Sequence, residues 1–331
     1  MRLSSVLFSL LLSLMICGHA TAQAEAIQAR RIAAHTRFLS GDLLEGRGVG
    51  ARGGKLATDY IATQLALAGA QPAGDKGTYF QNFQLAGVQT TDAATLSFTR
   101  GGQTSQLHWL SDWVGSSEMQ QPENTIDAEA VFVGHGIVAP EFQWNDYKGV
   151  DVNGKIVVLF TNEPGRDNPD LFRGKALMYY GRWAYKFEEA LRQGALGAII
   201  IHTDDTAGYE WGVVRNSWGR EQQMVLRPAG ERRLSMAAWV TARAAAPLIA
   251  GTGKNVEELM QAAESRDFHP IPLGVTVRAS LPSKVRTIDT RNVAALVPGE
   301  GSPAEGVVLY SAHWDHLGIG PSATDDKIFN G

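Results

Sequence analysis

Lys155-Ile156-Val157-Val158-Leu159-Phe160, the recurring Trp183, Phe187, Ala190 and Leu191, and Ala198-Ile199-Ile200-Ile201 follow one another along the chain. The first and last are short apolar runs rich in β-branched residues, with the texture of strands buried on both faces. Between them the apolar residues repeat on one helical face. Strand, helix, strand is the unit from which parallel sheets are built, so an α/β fold is expected. Gly194 stands where that helix needs a left-handed C-cap, and Gly197 lets the next strand begin with little steric demand.

Upstream, residues 130–133 read as another apolar strand. They follow a polar stretch, Ser116, Ser117, Gln120, Gln121 and Pro122, that marks a change of texture near Asp112 and the start of a second domain. Ahead of that point Ile32, Thr36, Leu39 and Leu43, then Leu56, Tyr60, Ile61 and Leu65, recur at three- and four-residue steps and predict two amphipathic helices. The second helix ends at Gly69 with Pro72 close behind, and Gly46-Arg47-Gly48-Val49-Gly50 between the two is an irregular loop. Beyond Pro270, Pro272 and Pro282, strand texture returns at residues 292–297, turns through Pro298-Gly299 and enters a strand at 307–311. The first domain resumes there, giving two interleaved domains without internal repeats.

A chain of 331 residues that is 44% hydrophobic and 19% charged has the composition of a folded protein of about two domains. Its formal charge of −4 provides no broad basic field, so nucleic acid is not an expected partner. Arg2, an apolar run over residues 6–16 and Ala20-Thr21-Ala22 have the form of a signal peptide, read as residues 1–22, which implies a secreted or periplasmic protein. No later apolar stretch reaches the ~20 residues needed to cross a bilayer, so no membrane anchor is expected. Cys17, the only cysteine, falls inside the signal and leaves the mature chain without a thiol.

The run 307–311 leads directly into Ala312-His313-Trp314-Asp315-His316-Leu317-Gly318, so polar groups arrive where a buried strand ends. In open α/β sheets ligands bind beyond the carboxyl ends of strands. Along extended backbone, side chains two apart share a face, which puts His313 beside Asp315 and turns Trp314 away. Zinc takes a neutral imidazole nitrogen, and a carboxylate accepting the other ring N–H fixes that imidazole's tautomer. His313 is therefore the expected metal ligand and Asp315 its orienting, catalytic partner. A His-X-Asp triplet is equally the pattern of a surface hydrogen-bonded pair, and context decides between them. His316, three residues on, is read as holding a loop.

Taken together these residues resemble the co-catalytic di-zinc aminopeptidases that carry a protease-associated domain inserted ahead of the metal site. The resemblance rests on Gly41-Asp42-Leu43-Leu44-Glu45-Gly46-Arg47-Gly48-Val49-Gly50, Tyr79-Phe80-Gln81-Asn82-Phe83, Val133-Gly134-His135-Gly136-Ile137-Val138-Ala139-Pro140, Asn145-Asp146-Tyr147, Val152-Asn153-Gly154-Lys155-Ile156-Val157-Val158, Gln193-Gly194-Ala195-Leu196-Gly197-Ala198-Ile199-Ile200 and the segment from Ser311 to Gly318. It implies a zinc-exopeptidase-like sheet flanked by helices, incomplete here. The implied division is residues 23–111 for the first part of the peptidase domain, 112–280 for the inserted domain, and 281–331 where the peptidase domain resumes and is cut within the metal-site motif.

The implied reaction is hydrolysis of the N-terminal bond of a peptide or protein substrate by a water bridging two zinc ions, with a glutamate as general base. The bridging aspartate, that glutamate and the remaining ligands would lie beyond Gly331. The resemblance thus implies at most a partial zinc site in an incomplete, inactive section of the enzyme. Asp325 and Asp326 precede the missing motif and do not replace its aspartate. Two alternatives stay open: a non-catalytic, receptor-like relative that binds peptides or proteins, and a cyclising acyltransferase. Glu188-Glu189, adjacent on a helix and so about 100° apart, are read as a solvated face rather than a catalytic pair. Tyr179, Tyr180, Trp183 and Tyr185 are read as core, and Trp211 and Trp218 as loop residues that could be exposed.

Overall fold

A computed structural model describes residues 27–166, 168, 170–228, 230–299, 306–320 and 326–331. The signal peptide over residues 1–22, Cys17 and Asp325 lie outside them. The chain is mixed α/β and divides into two compact units. One comprises Met1–Asn82 with Thr290–Gly331, and the other Phe83–Asp289.

The strands in chain order are β1 (Gln71–Pro72), β2 (Phe80–Thr90), β3 (Thr95–Arg100), β4 (Gln103–Leu107), β5 (Trp113–Ser116), β6 (Thr125–Phe132), β7 (Val138–Ala139), β8 (Trp144–Asn145) and β9 (Ile156–Phe160). Then come β10 (Gly197–His202), β11 (Gln222–Val225), β12 (Met236–Thr241), β13 (Ile271–Ser280), β14 (Ser283–Val293), β15 (Ala295–Leu296), β16 (Gly318–Ile319) and β17 (Ile328–Phe329). The α-helices are α1 (Ala29–Leu39), α2 (Arg52–Leu67), α3 (Trp183–Arg192), α4 (Asp204–Ala207), α5 (Trp211–Trp218), α6 (Ala246–Ile249) and α7 (Val256–Ala263).

The unit Phe83–Asp289 is built on an eight-stranded sheet in the order β4-β3-β13-β6-β9-β10-β12-β5. Its centre is parallel: β9 pairs with β6 and β10, and β10 pairs with β12, while the outer pairs are antiparallel. Every residue of β9 and β10 is buried. Neither face of the sheet's centre meets water, which is why these strands read as unbroken apolar runs instead of alternating ones. Alternation still sorts the side chains by face. Val158, Phe160, Ile199 and Ile201 pack with Leu248 of α6 and Leu259 of α7, whereas Val157, Leu159, Ala198 and Ile200 pack with Phe187 of α3 and Val214 of α5.

Helix α3 forms the crossover between the parallel neighbours β9 and β10, and Gly194 beyond its end takes φ +95°, a conformation few side chains tolerate. Between Pro272 and Thr276 the pairing of β13 with β6 changes register, at the point where Pro272 has no N–H to give and Gly274 turns left-handed. This unit begins well before residue 112, because β3 pairs with β13 along Thr95–Ser280, Leu96–Ala279 and Phe98–Val277. That pairing joins segments of chain far apart in sequence, which no local texture signals.

In the unit formed by the two ends of the chain, α1 and α2 meet through Phe38 stacked on Tyr60 at 4.0 Å. Gly53 of α2 lies so close to the Leu44 carbonyl that a Cβ there would come within 1.7 Å of its oxygen. Strand β1 pairs with β15, and β16 with β17. The strand expected over residues 307–311 does not form: the segment is irregular and Val307, Val308, Leu309 and Tyr310 are 82%, 78%, 85% and 91% exposed. Among the described residues no neighbouring strand pairs with it, and a lone extended segment satisfies its backbone N–H and C=O groups with water rather than with a ladder.

Candidate functional site

Segment 312–318 is held by two arginines. Arg291, at the end of β14, donates from Nε to the Thr58 hydroxyl (2.8 Å) and from Nη2 to the Lys55 carbonyl (2.9 Å) and the Asp59 carboxylate (2.5 Å). Its guanidinium lies 3.8 Å from the centroid of the Phe80 ring. Its own carbonyl accepts the Trp314 indole N–H at 3.2 Å. The indole rests against Gly54 of α2, where a Cβ would come within 2.6 Å of the ring. A glycine on this helix face therefore decides where Trp314 goes.

Arg47 occupies the kinked 3-10 turn Asp42–Arg47, in which Glu45 and Gly46 depart from helical geometry. It donates from Nε to the Trp314 carbonyl (2.9 Å) and from Nη1 to the carbonyls of Asn330 (2.8 Å) and Leu39. The Arg47 carbonyl in turn accepts the His316 amide at 3.2 Å. Partial burial pulls the guanidinium pKa down, and the nearby charge of Asp315 opposes that shift. The carbonyls it gathers come from three separate stretches of chain.

With Trp314 turned inward, His313 and Asp315 face each other. Nδ1 of His313 is 2.9 Å from the Asp315 backbone carbonyl and 3.5 Å from its Oδ1. Both oxygens are acceptors, so in a neutral imidazole the proton sits on Nδ1 and the lone pair is left on Nε2, the nitrogen that can bind a metal. The His313 side chain is 79% exposed. His316 is half-buried and donates from Nδ1 to the Phe329 carbonyl at 2.7 Å, holding the loop that leads to β17. Asp326 accepts the Ile328 amide at 2.9 Å. The described residues contain no convergence of three or more His, Cys, Asp or Glu side chains able to hold a metal ion. What they offer is one oriented imidazole rather than a full ligand set.

Two features of the second unit differ from their expected places. Glu189 is not on a solvated face: it is 5% exposed and accepts from Arg192 Nε (2.8 Å) and Gln193 Nε2 (2.7 Å), while Glu188 accepts the Tyr179 hydroxyl at 2.8 Å. Trp211 and Trp218 bracket helix α5 rather than lying in loops. Trp218 packs edge-on against Trp183 at 5.5 Å, and Trp211 donates to the Leu110 carbonyl at 3.0 Å. Tyr185 is buried, whereas Tyr179 and Trp183 are exposed.

His313 and Asp315 stand out in the sequence, but Arg47 and Arg291 do not, because their roles depend on partners more than 200 residues away. The one local signal is Arg47 itself, a large cation set between glycines. Among the described residues no helix is long and apolar enough to cross a membrane. No family model matches the chain, and neither does any curated protein.

Proposed function

We propose that this protein belongs to a secreted or periplasmic zinc-dependent aminopeptidase, in which His313 is a zinc ligand through Nε2 and Asp315 orients it. The observation that carries this reading is the His313–Asp315 pairing: Nδ1 is held at 2.9 Å by the Asp315 carbonyl, with the carboxylate at 3.5 Å, which fixes the tautomer a metal requires. The order of motifs along the chain supports it, as does the docking of the Gly41–Gly50 loop, through Arg47, onto the segment that carries His313. On this reading the unit Phe83–Asp289 is the inserted protease-associated domain and the other unit is part of a zinc-exopeptidase-like sheet.

The test is zinc content together with hydrolysis of an aminoacyl amide, measured on the product of the whole gene and on the 331-residue chain side by side. Zinc and turnover in the gene product, both lost in His313→Ala, are the expected result. A gene product that turns over normally with His313→Ala, or that neither holds zinc nor hydrolyses the amide, would sink it. The second of those results would favour the receptor-like reading, in which peptides are bound but not cleaved.

A further inference from the structure

The second unit contains a cavity of about 490 Å³ at the carboxyl ends of its central parallel strands. His135 follows β6, Glu163 follows β9, Asp205 and Thr206 follow β10, and Glu264 follows α7. That is where the crevice of an open parallel sheet receives its ligands, and the volume is in the small-molecule range of roughly 300–1,000 Å³. Most of the polar lining is already engaged. Glu264 accepts from His135 Nε2 (3.3 Å) and from the Gly165 amide (2.7 Å), and Asp205 pairs with Arg166 Nη1 at 3.1 Å.

Glu163 is the exception. It is only 3% exposed and its Oε1 accepts the Met178 amide at 2.9 Å, yet its Oε2 is buried without a hydrogen-bond partner. Lys186, fully buried on α3, spends a donor on the Asn162 carbonyl at 2.8 Å and does not satisfy that oxygen. An acceptor left bare in a low-dielectric site is unfavourable. A ligand carrying a positive N–H donor removes that cost.

We propose that this cavity binds a primary ammonium group, held by Glu163 Oε2. A metal cation is a poorer fit, because no three ligating side chains converge among the described residues. An organic ammonium needs one buried carboxylate oxygen and room for its carbon chain, and the cavity gives both. Burial holds the Glu163 carboxyl above the usual carboxylate range, with Lys186 and His135 pulling the other way. An ammonium beside it favours the ionised form, so binding releases a proton. The site involves none of the residues of the zinc reading, and its test needs neither metal nor turnover.

The test is an amide chemical-shift titration of the 331-residue chain with n-butylammonium chloride and with glycinamide hydrochloride, against n-butanol and sodium chloride as controls. Shifts confined to Gly165, Thr206 and their neighbours, saturating in the millimolar range, are expected with at least one ammonium. A response to butylammonium identifies a lysine-like ligand, and one to glycinamide alone identifies an α-amino group. Glu163→Gln should weaken binding at least tenfold. Equal response to butanol, equal binding by Glu163→Gln, or no response to either ammonium overturns the proposal. Should that variant fail to fold, the ¹³C carboxyl resonance of Glu163 in the unsubstituted chain must move with the ammonium and not with butanol.

Discussion

Nδ1 of His313 is 2.9 Å from the main-chain carbonyl of Asp315 and 3.5 Å from its side-chain oxygen, so the residue expected to orient the imidazole does so chiefly through its backbone. Replacing Asp315 by Asn leaves the carbonyl in place and removes only the carboxylate charge. Loss of a carboxylate behind a ligating histidine weakens metal binding by about ten- to hundred-fold. Asp315→Asn should therefore fall near the tenfold end, measured by chelator competition for zinc on the whole gene product. Unchanged affinity would remove the Asp315 side chain from the role proposed for it.

Arg47 joins the Leu39, Trp314 and Asn330 carbonyls, and each hydrogen bond from a charged donor contributes about 1.5–3 kcal/mol where partly shielded. Arg47→Ala should free segment 314–330 from the 3-10 turn. Hydrogen exchange at the amides of His316 and Gly320 should speed up at least tenfold, while the amides of β9 and β10 keep their protection. Exchange unchanged at His316 would show that Trp314 alone seats the segment.

At Gly53 a Cβ would come within 1.7 Å of the Leu44 carbonyl oxygen, a backbone atom that cannot swing aside. Gly53→Ala should cost about 3 kcal/mol or more, despite alanine's better helix propensity. Gly69→Ala, where φ is +81° and no atom lies nearby, should cost only about 1 kcal/mol. Chemical denaturation of the two variants tests the contrast, and similar losses would refute the close approach at Gly53.

Asp146 is buried and accepts the Ile137 amide at 2.9 Å and the Trp144 indole N–H at 2.8 Å. An amide in its place turns one acceptor into a donor facing another donor. Asp146→Asn should lose about 2–4 kcal/mol by urea denaturation. Stability within about 0.5 kcal/mol of the parent, the scatter of a neutral surface change, would mean the two donors find other partners.

Burial pulls the Lys186 ammonium down to about 7 from 10.5, opposed by Asp146 and Glu163. A base whose pKa is lower folded than unfolded gives up its proton on folding between those values, so its contribution makes stability rise with pH from about 7 to 10. The slope is at most ~1.4 kcal/mol per pH unit. Lys186→Met should flatten stability between about pH 7.5 and 9.5. An identical slope in the variant would show that Lys186 is not the group responsible.

The sequence alone determined what local spacing can encode. The apolar runs at β9 and β10, the helical repeat of α3 between them and Gly194 behind it state a parallel sheet outright, because a strand buried on both faces has no polar positions to hide it. The pairing of His313 with Asp315 was likewise readable, since side chains two apart share a face on extended backbone. Tertiary structure decided what depends on remote partners. Residues 307–311 have the texture of a strand, but a ladder needs a neighbour, and among the described residues none pairs with them. Glu189 has the look of a surface residue until Arg192 and Gln193 close over it. Arg47, Arg291 and the bare oxygen of Glu163 acquire meaning only when chain segments far apart in sequence are brought within hydrogen-bonding distance, and no one-dimensional pattern records that distance.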